Sequence, residues 1–120
     1  MLLVDTSVWI DHFRQGLPVL GDLLNTGEVA THPFVIGELA CGNLKNRSEI
    51  LALLSALPSA KVATHPEALH LVDAHSLSGT GLGWIDVHLL SAALLNRMPI
   101  WTRDRKLHAA ARALGIAGDE

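Results

Sequence analysis

The sequence predicts an α/β fold in which helices pack on a central, mostly parallel sheet. Three observations carry this. Leu2-Leu3-Val4-Asp5 is a short apolar run ending in a carboxylate and followed at once by helical patterning. Met98-Pro99-Ile100-Trp101-Thr102-Arg103-Asp104 repeats that design near the other end of the chain. Between them, strand-like and helix-like segments alternate, which favours parallel strands with helical crossovers. In open α/β sheets ligands bind outside the carboxyl ends of the strands, so two acids delivered there can share a site. Each acid taken alone is as readily the N-cap of the helix that follows it.

Taken in order, Leu2 to Val4 reads as a buried strand. Ser7 to Arg14 has helical spacing, with Val8, Trp9 and Phe13 on one face and Thr6 or Ser7 as N-cap. After Gly16-Leu17-Pro18, the residues Val19, Leu20, Leu23 and Leu24 predict a second short helix closed by Asn25-Thr26-Gly27. Glu28 to Thr31 is a brief strand, and Pro33 opens the helix Phe34 to Cys41, apolar all round except for Glu38. A carboxylate there is costly unless it faces water, is paired, or binds metal. Ser48 to Leu57 forms another helix, stopped by Pro58, and Lys61 to Thr64 a further strand. Pro66 starts a helix to about His75, with Leu69 and Val72 inward. The run Ser78 to Gly83 has neither a Walker nor a dinucleotide-binding pattern and is expected to be a loop. Trp84 to Leu95 is strongly helical with Asp86 in its first turn, where an acid also suits the helix dipole. A strand from Pro99 to Thr102 and a helix with Leu107, Ala110, Ala111 and Leu114 inward, stopped by Gly115, complete the pattern.

Composition bounds the function. At 120 residues and 49% apolar, the chain is expected to form one domain, residues 1–120, with a sufficient core of its own. A lone cysteine, Cys41, allows no internal disulfide and suits a reducing cytoplasm. Met1 to Asp5 lacks a basic run, so no signal peptide is expected, and no stretch approaches the roughly 20 apolar residues of a membrane span. The formal charge of −3 argues against gripping long duplexes by global electrostatics. A local basic patch remains: Arg97, Arg103, Arg105 and Lys106 place four of the nine Lys and Arg residues within ten positions of one another. The seven histidines show no i, i+4 pair of the zinc-binding kind, and most are read as surface residues.

Asp5, Glu38, Asp86 and Asp104 each stand at a strand end or early in a helix, so the topology can bring them to one side of the sheet. Four carboxylates in proximity repel, and a hard divalent cation would compensate them. Oxygen-only ligation points to Mg²⁺ or Mn²⁺ rather than zinc. Such an ion activates water and polarises a phosphodiester.

With those residues in view, the chain resembles the PIN-domain ribonucleases of the VapC type, toxins of bacterial toxin-antitoxin pairs. The matching segments are Asp5-Thr6-Ser7, Gly37-Glu38-Leu39 after Pro33, Trp84-Ile85-Asp86-Val87-His88, and Trp101-Thr102-Arg103-Asp104, in the family's order over essentially the whole chain. The resemblance implies a three-layer α/β/α sandwich and an endoribonuclease that cuts single-stranded or loop RNA with Mg²⁺ or Mn²⁺. It implies Asp5, Asp86 and Asp104 as metal ligands, with Glu38 the fourth catalytic acid acting through water. Thr6 and Thr102 match hydroxyl positions that orient the site, and Arg103 and Arg105 are placed to meet RNA phosphates. Arg105 and Lys106 stand where relatives often carry a further acid. A homodimer and a VapB-like antitoxin are implied as well, in a heterotetramer or larger complex, with Trp9, Phe13, Val19 to Leu24 and Leu51 to Leu57 as a possible docking groove. A receiver-type signalling domain would need an adjacent acidic pair after its first strand, which is missing. A catalytically idle PIN-like binding module is the alternative, and the complete acidic quartet weighs against it.

Overall fold

The computed structural model describes residues 1–118. Its elements, in chain order, are β1 (Leu2–Val4), α1 (Thr6–Gln15), α2 (Pro18–Asn25), β2 (Val29–Ala30), α3 (Pro33–Ala40), α4 (Arg47–Ala56), α5 (His65–Ala74), α6 (Trp84–Leu95), β3 (Ile100–Trp101) and α7 (Arg105–Ala113). The α/β expectation holds: helices surround a small parallel sheet with strand order β2-β1-β3.

β1 lies at the centre and is buried along its length, as its uninterrupted apolar sequence requires. Leu2 and Leu3 pair with Val29 and Ala30 on one side, while Leu3 and Val4 pair with Ile100 and Trp101 on the other. The chain therefore leaves β1 for β2 on one flank and returns later as β3 on the other. That reversal makes the carboxyl end of β1 the switch point, where a crevice opens. Single parallel bridges widen the ladder at both edges, Thr31 with Ser59 and Ile100 with Ala117. At the second bridge the backbone of Gly118 nearly touches β1: a Cβ there would lie 2.5 Å from Leu2 Cδ1, so no side chain fits without displacing it.

The strand expected at Lys61 to Thr64 is absent. The sheet edge is met earlier, by Thr31 N–H donating to Pro58 O and Ala60 N–H donating to Thr31 O, each at 2.8 Å. Lys61 instead exchanges backbone hydrogen bonds with the Asn96 side chain, at 3.1 Å each way. With those groups satisfied, no ladder forms, and Thr64 becomes the N-cap of α5 in a capping box with Glu67. The inner face of α5 is also rotated by one residue from expectation. Ala68 and Leu71 are buried, whereas Leu69 is 45% exposed and Val72 only partly covered.

α6 is the core helix. Val87 to Ala93 are all buried, and the helix packs against α5 and β3. Ser91 is tolerated there because its hydroxyl donates to Val87 O at 2.8 Å. Two histidines depart from the surface reading: His32 and His88 are buried. His32 is the N-cap of α3, its Nδ1 accepting the Phe34 N–H at 3.0 Å. That fixes the proton on Nε2, which has no partner among the described residues.

Burial, followed by the neighbouring His88, lowers the His32 pKa from 6.5 to about 4. As pH falls below 6.5, the unfolded chain binds this proton before the folded chain does. Stability is therefore present above 6.5 and is lost as pH drops toward 4, by about 3 kcal/mol across the window from this group. Denaturant unfolding over that range should show the slope, and His32→Asn, which keeps a capping acceptor, should flatten it. An equal slope in the variant would assign the loss to other groups.

Candidate active site

The site is assembled at the switch point. β1 runs straight into Asp5, whose backbone N–H donates to Trp101 O at 2.9 Å, so the strand pairing itself fixes where the carboxylate emerges. Asp5 is the N-cap of α1. Its Oδ2 receives Ser7 Oγ at 2.6 Å, Thr102 Oγ1 at 2.8 Å and Ser7 N–H at 3.3 Å. The same two hydroxyls reach back to the far strand end. Ser7 Oγ accepts the Arg103 N–H and Thr102 Oγ1 accepts the Asp104 N–H, each at 3.0 Å. Two hydroxyls thus stitch the carboxyl ends of β1 and β3 together across almost the whole sequence.

Asp104 caps α7, its Oδ2 accepting the Leu107 N–H at 2.8 Å. Asp86, at the third position of α6, accepts the Gly83 N–H on Oδ2 at 3.0 Å. Glu38, exposed on α3, accepts Thr6 Oγ1 on Oε1 at 2.7 Å, which places it beside the residue after Asp5. Each carboxylate therefore takes its protein hydrogen bonds on one oxygen only, and among the described residues the other oxygen has none.

Burial is the largest influence on Asp86 and raises its pKa. The Gly83 N–H opposes that shift, while the charges of Asp5 and Asp104 add to it. Asp86 therefore senses the charges of Asp5 and Asp104, although the three come from three different helix starts. Among the described residues no three His, Cys, Asp or Glu side chains lie close enough to form a ready cation cage. The fit to a divalent cation is one of donor chemistry: oxygen ligands only, each acid with one uncommitted oxygen.

Basic groups border the acids. Arg103 pairs with Asp11 at 3.3 Å, so its guanidinium is already engaged rather than waiting for phosphate alone. Arg105 and Lys106 lie exposed in the first turn of α7. The glycine-rich loop is not a separate excursion. Lys106 lies across Gly81, where a Cβ would sit 2.7 Å from Nζ and 2.8 Å from Cδ, and Gly81 has φ +86°. Only glycine meets both conditions. Sequence reasoning put forward the four acids, Thr6 and Thr102, but passed over Ser7, which hydrogen-bonds Asp5. The signal was its place two residues after a helix-capping Asp, where a hydroxyl readily turns back. Of the groove expected from Trp9 to Leu57, Trp9, Leu20 and Leu54 are core residues, while Val19 and Leu53 remain exposed.

A parallel α/β protein with carboxylates gathered at its strand ends is thus the class that fold and site define. The chain belongs to the PIN-domain family, whose description matches residues 2–113, and within it to the VapC-type proteins. It is 48% identical over 118 residues to the protein named Ribonuclease VapC32 in two strains of Mycobacterium tuberculosis, covering 98% of this chain and 95% of theirs. The crystal structure of PAE2754 from Pyrobaculum aerophilum shares the fold, with a TM-score of 0.62 at 19% identity, over 90% of this chain and 77% of that one. The receiver-type alternative has no support beside these matches.

Thr102→Val should remove a donor from Asp5 and the acceptor of the Asp104 N–H together, lowering stability by about 1–3 kcal/mol in denaturant unfolding. Gly81→Ala should cost about 1–3 kcal/mol. Adding Lys106→Ala should recover the part due to collision and leave the part due to backbone strain, as a double-mutant cycle would resolve.

Proposed function

We propose that the chain is a metal-dependent endoribonuclease of the VapC toxin type, hydrolysing phosphodiester bonds in single-stranded or loop RNA. The observation that carries this is the set of four carboxylates at the switch point, each with one oxygen spoken for and one open. In this reading Asp5, Asp86 and Asp104 hold Mg²⁺ or Mn²⁺ through their open oxygens. Bound there, the ion supplies Lewis acidity and a more acidic water. The remaining work belongs to the side chains. Ser7 and Thr102 lock the Asp5 carboxylate in one rotamer by loading a single oxygen. Thr6 does the same for Glu38, leaving its second oxygen to accept a proton from an attacking water. Gly83 holds Asp86 by its backbone N–H, offsetting part of the burial that favours the protonated acid. Arg105, with Arg103 beside it, neutralises phosphate on the strand being cut.

The likeness to a protein named Ribonuclease VapC32 supports the substrate class. It also supports a VapB-type antitoxin as partner. We extend the reading to a homodimer that joins the antitoxin in a larger complex, acting in the cytoplasm. Among the described residues no helix is long and apolar enough to cross a membrane. The apolar side chains Val19 and Leu53 are the exposed part of the surface assigned to the antitoxin.

Purified protein should cleave RNA in loops with Mg²⁺ or Mn²⁺ and lose this in excess chelator. Asp5→Asn should keep the helix cap and the fold, by circular dichroism, while activity falls at least about a hundredfold. Cleavage unchanged in that variant would sink the assignment. Arg105→Ala should weaken RNA binding and reduce the salt slope by about 0.7, as expected for one lost contact to a single strand. An unchanged slope would return Arg105 to the solvated surface.

A further inference from the structure

One motif is left over once the acids are assigned. Trp84 stands in the same helical turn as Asp86, yet it is 40% exposed, an unusual position for an indole that begins the core helix. It is held in place rather than loose. The buried His88 ring meets it almost perpendicularly at 4.7 Å, and the His65 ring lies against it at 5.1 Å, tilted by 58°. Beyond His88 the series continues to the half-exposed Phe34 at 4.9 Å, and from there to buried His32 at 5.0 Å. Phe34 precedes Glu38 by one turn of α3, so the two share a helix face. Exposed Trp84 and half-buried Phe34 thus each stand within a turn, along their own helix, of one of the four carboxylates. Two buried nitrogens within the series, His32 Nε2 and His88 Nδ1, have no partner among the described residues.

A strand threaded past the acids must present its phosphate to them, which turns its bases away from the scissile bond. Bases that are unpaired need a π-face to cover them, and a braced aromatic side chain supplies one without sequence preference. We propose that the exposed surface of Trp84, braced by His65 and His88 and continued by Phe34, is a stacking platform for an unpaired base of the RNA next to the cleaved phosphodiester. The proposal rests on the ribonuclease reading and deepens it: the platform accepts a splayed base and cannot accept one buried in a duplex. Selection for single-stranded or loop RNA then has a physical seat. A protein partner would also use an exposed indole, but the series runs on to Phe34, which shares a face of α3 with Glu38, and that favours the nucleic acid.

The test is direct because the other two tryptophans, Trp9 and Trp101, are each only 2% exposed. Intrinsic fluorescence therefore reports contact at Trp84. In chelator, where no cleavage occurs, a single-stranded oligoribonucleotide should quench the emission saturably, and a duplex of the same sequence should not. Anisotropy of the labelled strand should show Trp84→Ala binding about tenfold more weakly, with Trp84→Phe and His65→Ala intermediate. With Mg²⁺ present, Trp84→Ala should raise KM far more than it lowers kcat. Circular dichroism identifies a variant that fails to fold, and Trp84→Phe, which keeps a ring on His88, then carries the comparison. Equal strand affinity in Trp84→Ala and parent overturns the proposal, as does equal quenching by duplex. So does a Trp84→Ala defect confined to binding of the antitoxin. The two readings separate cleanly: a parent that cleaves RNA with unchanged affinity in Trp84→Ala loses the platform alone. A parent that is quenched by single strands yet cleaves nothing with either metal loses the nuclease assignment.

Discussion

The structure depends on a central strand three residues long. β1 is hydrogen-bonded on both flanks, so its backbone position is fixed by β2 and β3 together, and the residue that follows it has little freedom over where it appears. That residue is Asp5. Burying a carboxylate to 6% exposure is unfavourable unless donors meet it, and here they do, from Ser7 and Thr102. The same hydroxyls accept backbone N–H groups from the β3 end, so the groups that make a buried charge tolerable also set the distance between the first and last acids. Stability and site geometry are therefore one network, and loosening it affects both.

The carboxylates illustrate how capping and chemistry coexist. Asp5 and Asp104 are N-caps, and Asp86 ties the start of α6. A helix cap needs only one oxygen of a carboxylate, because it satisfies one or two N–H groups from one direction. The other oxygen remains, held in a known place by the helix to which the first is bonded. Three helix starts thus each present an oriented carboxylate oxygen at small additional cost. Repulsion is a by-product of that arrangement: the raised pKa of Asp86 comes first from burial, with the charges of Asp5 and Asp104 adding to it. Capping therefore does not compete with the catalytic role proposed for these acids, since the cap would position the free oxygen that the role requires.

Much of this was legible in the sequence, for identifiable reasons. β1, α6 and the acidic quartet were readable because each couples a strong local pattern to a polar switch at a boundary. Lys61 to Thr64 was not, because its strand-like composition was overruled by Asn96, a side chain thirty-five positions away that satisfied its backbone. The inner face of α5 was misplaced by one residue because Ala68 outcompetes Leu69 for the interface: a small side chain lets α5 approach α6 closely, a packing effect that hydrophobicity alone does not reveal. His32 and His88 were unreadable as core residues. Histidine is commonly exposed, and these two are buried by the ring series with Phe34 and Trp84 and, for His32, by its capping of α3.

The basic side of the crevice follows from the acidic side. Arg105 and Lys106 occupy the first turn of α7, where cations oppose the helix dipole by about 0.3–1 kcal/mol each. Asp104, as the cap, offsets part of this, and Lys106 is laid across Gly81, with Nζ, Cε and Cδ all close to where a Cβ would be. A chain of formal charge −3 would otherwise repel a polyanion from a crevice lined with carboxylates. Exposed cations beside the acids make the local field less negative than the net charge implies, and screening over about 10 Å keeps their influence local. The proposed nuclease would have to attract both a cation and a phosphate, and the turn from β3 into α7 places both signs of charge in consecutive residues, Asp104 and Arg105.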